Sequence, residues 1–129
     1  MADHGDHDDL LAGFLEQFGA IFEQSKQGVY VFLDDEHAAC NDVLAKWQGY
    51  KTPKEWAKAA RGDFLKLVEP ASRHALVQMY QTALKEAIGG QVPVTWLHKD
   101  GKTKVKTDTI LVPIDAAGHR FALHFISPA

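Results

Sequence analysis

Hydrophobic positions along the first part of the chain recur with two different periods. Leu10, Leu11, Phe14, Leu15, Phe18, Ile21 and Phe22 are spaced by one, three and four residues, the pattern of one apolar helix face. Asp8 and Asp9 stand where carboxylates meet the free N–H groups and the positive pole of that helix, so order is expected to begin near Asp9. Gly28 then opens Val29-Tyr30-Val31-Phe32-Leu33, a β-branched and aromatic run that stops at Asp34-Asp35-Glu36. This predicts a strand entering a turn, with His37-Ala38-Ala39-Cys40 as the returning strand. Asn41 or Asp42 is placed to cap a short helix carrying Val43, Leu44 and Trp47 and ended by Gly49. Thr52-Pro53-Lys54-Glu55 has capping-box spacing with proline at the first helical position, which predicts a second short helix anchored by Trp56.

Pro70 starts a longer helix with apolar positions Leu76, Val77, Tyr80, Leu84, Ala87 and Ile88, ending at Gly89-Gly90. The period then changes to two. Val92 to His98 and Thr103 to Val112 flank Lys99-Asp100-Gly101-Lys102, and Asp-Gly is the preferred pair for a type I′ hairpin turn. A second hairpin turns at Asp115-Ala116-Ala117-Gly118 and returns through Arg120 to Ile126.

Side-chain alternation turns these registers into faces. A two-residue turn at Asp100-Gly101 sets His98 opposite Thr103 and Trp96 opposite Val105, so Trp96, Val105, Thr107, Thr109 and Leu111 share one face. Pairing Ile114 with His119 across a four-residue loop adds Ala122 and His124 to it. The opposite face carries Leu97, Ile110, Val112, Phe121, Leu123 and Phe125 and needs a cover. The N-terminal helix supplies one. Leu11, Phe14, Leu15, Phe18 and Phe22 are expected to meet Ile110, Val112, Phe121 and Leu123 as a cap, either purely intramolecular or also as a homodimer contact.

Composition narrows the function classes. The 129 residues, 46% of them apolar, suit one domain with its own core, for which no disulfide or structural metal is required. A net charge of -3 offers no positive field for nucleic acid or an anionic membrane. Cys40 is the single cysteine, no basic and apolar leader opens the chain, and no apolar stretch reaches the roughly 20 residues of a membrane span. A reducing cytoplasm is therefore expected. Residues 1–9 hold almost nothing to bury and read as an acidic, histidine-bearing disordered tail, followed by a cap helix over 10–26 and a main domain over 27–127. With Met1 removed, Ala2-Asp3-His4 would offer planar nitrogen coordination to Cu(II) or Ni(II), and His7 with Asp6 and Asp8 adds weaker donors. No metal site is assigned from these.

A strand pair, short helices, a long helix and three hairpin-linked strands form an α+β order. From about Phe18 to Ile126 the chain resembles a PAS domain, the small sensory module. The resemblance rests on Gly28-Val29-Tyr30-Val31-Phe32 with Asp34-Asp35, then Asn41, Gly49-Tyr50 and Val68-Glu69-Pro70. It continues with Tyr80, Ala83-Leu84 and the Lys99-Asp100-Gly101 turn. It implies a five-stranded antiparallel sheet in the order 2-1-5-4-3. Short helices and the long helix would close a ligand cleft over one face, with the N-terminal helix on the other. It also implies bacterial-type signal transduction. Haem-binding members hold iron through a histidine on the long helix, but here Arg73 sits near the centre of the Leu76, Tyr80 and Leu84 stripe and His74 lies about 120° away. Flavin photosensors of the superfamily carry a cysteine in an Asn-Cys-Arg-Phe-Leu-Gln-like segment, which Phe64-Leu65-Lys66 lacks. Both cofactors are disfavoured, and the ligand stays unidentified.

Within the expected cleft, Trp96, Thr107, Thr109 and His124 are more polar than a plain core requires. Buried and unpaired, such groups cost on the order of 1–3 kcal/mol, so they either bond one another or water, or line a pocket. In the pocket reading Trp47, Trp56 and Tyr80 form aromatic walls, and His124 gives or accepts a hydrogen bond to a small organic ligand. The sequence holds no nucleophile with its base, no Gly-rich phosphate loop and no metal-spaced set, so catalysis is not expected. The leading reading is a non-catalytic sensory module, with output through a homodimer or a signalling partner if the chain is a whole gene product. The alternative is a ligand-free interaction or dimerisation module. A haem-based gas sensor and a small cone-shaped α+β enzyme rank below both.

Overall fold

The computed structural model describes residues 3–129, with side chains from Asp6 onward. The chain runs α1 (Asp3–Gln24), β1 (Gly28–Asp34), β2 (His37–Cys40), α2 (Asp42–Trp47), α3 (Pro53–Ala60), a 3-10 turn (Phe64–Leu67), α4 (Pro70–Glu86), β3 (Gly90–Leu97), β4 (Lys104–Ala116) and β5 (His119–Pro128). The strands form one antiparallel sheet in the order β2-β1-β5-β4-β3, the α+β arrangement expected.

Local sequence accounts for most element ends. Asn41 caps α2 by accepting from Leu44 N–H at 3.1 Å, and the same Oδ1 accepts from Val29 N–H at 3.1 Å. One buried side chain thus starts a helix and aligns the first strand. The Thr52 hydroxyl accepts from Glu55 N–H at 3.1 Å, while Glu55 reaches back to Lys51 N–H at 2.8 Å, giving α3 its reciprocal cap. Gly49, with φ of +86°, closes the α2 end against β3, where a Cβ would come within 2.1 Å of the His98 ring.

Three expectations about the first helix and the hairpins need correction. The helix does not wait for Asp9: α1 begins at Asp3, and residues 6–9, assigned to a disordered tail, form its first turns. Carboxylates suit that end of a helix, and His7 and Asp8 are held by contacts to Asp34 and His37 on the β1–β2 hairpin. Met1 and Ala2, and the copper-binding arrangement expected with Asp3 and His4, lie outside the described residues and side chains. In the β3–β4 hairpin, Trp96 does oppose Val105, but Asp100 does not take the positive φ of a type I′ turn. Gly101 alone is left-handed at +74°; its N–H bonds His98 C=O at 2.8 Å, and Asp100 Oδ1 accepts from Lys102 and Thr103 N–H. The carboxylate makes the turn by bonding backbone ahead of it. In the β4–β5 hairpin the expected four-residue loop is a two-residue one, since Ala116 pairs with His119 and Ile114 with Phe121. The register moves by two, so every side chain keeps its expected face.

The two faces bury separate clusters. On one side α2, α3, the 3-10 turn and α4 cover Tyr30, Val94, Trp96, Leu111, Ala122 and Ile126. On the other, Phe14 and Phe22 of α1 pack with Val29, Val31, Leu33, Phe121 and Leu123, joined at the margin by Leu11, Leu15 and Phe18. The Phe14 and Phe121 rings stack with centroids 4.6 Å apart. Ile110 and Val112, expected beneath the same cap, are each 39% exposed, because the α1 cluster covers β1, β2 and the start of β5 and reaches β4 only at Ile114 and Ala116.

The α4 helix stops short of Gly89-Gly90 at the left-handed Ala87, φ +57°, and the tight β4–β5 turn puts Ala117 at φ +52° beside Gly118 at +79°. Left-handed geometry costs an L-residue roughly 1–2 kcal/mol, partly offset by the greater unfolded-state freedom of glycine. Ala87→Gly and Ala117→Gly are each expected to raise stability by about 0.5–1 kcal/mol in urea unfolding. An unchanged or lowered midpoint would contradict this account of the two turns.

Candidate functional site

A cavity of about 340 Å³ opens between the sheet and the helical layer. Its floor is Tyr30 and Phe32 of β1 with His124 of β5, its roof is Leu76, Val77, Tyr80 and Gln81 of α4, and Phe64 and Leu65 of the 3-10 turn close one side. Asp34 and Asp35 line it where β1 enters its turn.

The roof is anchored at both ends. At the start of α4, Ser72 Oγ accepts from Thr95 N–H at 3.0 Å, Arg73 Nε donates to Val68 C=O at 3.0 Å, and Glu69 N–H bonds Thr95 C=O at 2.9 Å. At its other end Arg120 donates to the Leu84 carbonyl at 2.7 Å while its guanidinium grips Asp115. These bonds position α4 independently of what fills the space beneath it.

His124 is the central polar group. It pairs with Tyr30 across β1 and β5, and the two rings stack with centroids 4.0 Å apart and planes 7° from parallel. Its Nδ1 donates to the Ala122 carbonyl at 3.0 Å. Burial drives the imidazole pKa down to about 3 against the opposing pull of the Ala122 and Tyr30 carbonyls, so the ring is neutral at physiological pH. Burial likewise pushes the Tyr30 phenol up; Tyr80 rises too, through burial and then the nearby Asp34 and Asp35 charges. Burial alone would raise Asp34, but hydrogen bonds from His7, His37 and Glu36 N–H hold its carboxyl below the usual range. The site therefore presents uncharged hydrogen-bonding groups among aromatic walls, with carboxylates at one end.

Of the seven candidate ligand residues, His124 and Tyr80 line this cavity. Trp96, Thr107 and Thr109 share the His124 face as expected but bond one another. Trp96 Nε1 donates to Thr107 Oγ1 at 3.1 Å, Thr107 donates to Val94 C=O at 2.8 Å, and the two hydroxyls lie 3.3 Å apart. Trp56 is buried with Nε1 on Gln48 Oε1 at 2.8 Å, and Trp47 packs at the core margin near Gly28. Tyr30, Phe32 and Phe64 were missed as site residues; the alternation of β1 paired against β5 was the one signal that could have set Tyr30 beside His124. His74 is exposed on α4, while neighbouring Arg73 is half-buried on Val68. Cys40 is buried, and burial, then the Asp42 charge, push its thiol pKa well up, which leaves little reactive thiolate.

A sheet in this order with helices closing a cavity over one face defines a particular α+β fold, and comparison with solved structures identifies which. The PAS domain of an HTR-like protein from Haloarcula marismortui superposes with a TM-score of 0.66 over 97% of this chain and 99% of that one, at 14% identity. A PAS domain from Colwellia psychrerythraea gives 0.68 over 90% and 97%, at 18% identity. A PAS domain from a two-component sensor histidine kinase gives 0.66 over 92% and 99%, at 10% identity. No family profile and no curated protein sequence matches the chain. The protein is a PAS-fold domain.

The depressed His124 pKa has a pH consequence. The unfolded chain binds a proton near pH 6.5 that the folded one refuses until about pH 3, so stability contributed by neutral His124 is present above pH 6.5 and falls as pH drops toward 3. Between pH 7 and pH 5 this amounts to about 2 kcal/mol of unfolding free energy for one such histidine. His124→Phe is expected to remove that part of the pH dependence in denaturant titrations. An identical slope in the variant would show that His124 is not buried neutral.

Proposed function

We propose that this domain is a non-catalytic sensory module whose cavity beneath α4 takes a small, largely planar organic molecule. The observation that carries the reading is the cavity itself, an aromatic chamber with one neutral buried imidazole and an anchored roof. Its volume of about 340 Å³ falls at the lower end of small-molecule sites. Tyr30, Phe32 and Phe64 offer ring faces, and His124 and Tyr80 offer polar groups that fix orientation. The PAS domain of a sensor histidine kinase among its structural likenesses supports a signalling role. No helix among the described residues is long and apolar enough to cross a membrane.

Native mass spectrometry of protein purified without denaturation tests this directly. Extra mass that leaves on unfolding is expected, and Val77→Trp, which fills the chamber from its roof, is expected to abolish it. Bare polypeptide in the parent, with no gain of small-molecule binding on screening, would instead favour the ligand-free interaction module.

For output, the reading places a homodimer or partner contact on the outer face. There α1 leaves Ile110 and Val112 exposed beside the half-buried Phe125 and the margin of the Phe14 cluster. Ile110→Lys with Val112→Lys is expected to convert a dimer to monomer in light scattering without disturbing the cavity. A parent already monomeric at high concentration, or a double variant that stays dimeric, would remove this face from the interface.

A further inference from the structure

The first turns of α1, the end of β1 and the start of β2 converge on a second polar cluster, outside the cavity except for Asp34. Asp34 lies between two imidazoles: Oδ1 is 2.7 Å from His37 Nδ1, and Oδ2 bonds His7 Nδ1. One ligand atom from each of the three residues lies within 4.8 Å of the other two. Across the His37 ring, Nε2 is 2.8 Å from Asp8 Oδ1. His119, the first residue of β5, meets the His7 ring edge-on with centroids 5.5 Å apart.

We propose that His7, Asp34 and His37 bind a divalent transition-metal ion of the zinc class. Two imidazoles and a carboxylate are the donors of such ions, whereas Mg²⁺ and Ca²⁺ take oxygen ligands. The surroundings are those of a built site. A metal-bound imidazole typically gives its other N–H to a carboxylate, which fixes the tautomer; Asp8 accepting at Nε2 does this and turns Nδ1 of His37 toward the ion. Asp34 is oriented by Glu36 N–H at 2.9 Å, and His37 is only 6% exposed. The ion would take the place of the protons now between Asp34 and the two imidazoles, each ring keeping a proton on Nε2: a neutral ring shifts its Nδ1 proton there, and a charged ring gives its Nδ1 proton to solvent. Donors at about 2.0–2.1 Å from zinc stand roughly 3.4 Å apart in a tetrahedron. His7, 28% exposed, has room to turn toward that spacing, and a water would supply the fourth ligand. Because the ligands come from α1, β1 and β2, the ion would fasten the N-terminal helix to the hairpin. His7 and His37 are too far apart in the chain to form any spacing motif, so the sequence offers His7 only Asp6 and Asp8 as companion donors.

The test uses the full chain, tag removed and stripped with chelator, titrated with Co²⁺ as a visible stand-in for Zn²⁺. One equivalent is expected to produce d–d absorption that Zn²⁺ bleaches. His7→Ala, Asp34→Asn and Asp8→Asn are each expected to weaken Co²⁺ binding on the order of 10–100-fold. Asp8 is 68% exposed, so its variant tests the site without endangering the fold. His74→Ala and His4→Ala serve as controls that should bind like the parent. Absence of the absorption at 100-fold excess metal would overturn the assignment. So would binding that survives both His7→Ala and Asp8→Asn, or that is lost in His4→Ala, which would place the metal on the amino terminus.

Discussion

Four consecutive side chains of β5, Phe121 to His124, are all buried, and the rest of the architecture answers that constraint. Consecutive residues of a strand point to opposite faces, so a strand buried throughout needs cover on both sides of its sheet. On the inner side, Ala122 and His124 receive the layer of α2, α3, the 3-10 turn and α4. On the outer side, Phe121 and Leu123 receive Phe14 and Phe22 of α1. The N-terminal helix is thus part of the core of this domain. Its removal would bare Val29, Val31 and Leu33 of β1 and Phe121 and Leu123 of β5.

Within that frame the cavity arises from a mismatch between anchoring and filling. α4 is tied to β3 through Ser72 and Glu69 and to the β4–β5 hairpin through Arg120, while the floor beneath it is set by the stacked Tyr30 and His124 rings. Nothing in these bonds requires the space between roof and floor to be filled by side chains. The polar groups deeper in the same layer are spent on one another, with Trp96 on Thr107 and Trp56 on Gln48, which stiffens the wall behind the chamber.

Asp34 belongs both to the cavity and to the polar cluster under α1. It lines the cavity at the end of β1 and is the shared partner of His7 and His37 in the cluster under α1. The outer helix and the inner chamber, on opposite faces of the sheet, meet at this residue.

Much of the fold was legible because its determinants are local. Asn41, the Thr52-Pro53 cap and the Asp100 turn act on backbone within a few residues, so caps and turns could be placed from spacing alone. The sheet faces were legible too, for a different reason. With a side-chain period of two, a loop misjudged by two residues at Ala117-Gly118 left Thr107, Thr109 and His124 on the face expected. The site was legible only in part. His124 and Tyr80 reach the cavity, but whether Thr107 faces a ligand or Trp96 depends on rotamers and packing that no periodicity encodes. Tyr30 and Phe64 join them only when β1 pairs with β5 and the 3-10 turn folds beneath α4. The elements, their caps and their apolar faces could be read along the chain, because they follow from backbone geometry and neighbours a few residues away. Which polar groups satisfy each other, where space remains, and that His7 meets His37 emerge on folding, because those depend on contacts between segments distant in the chain.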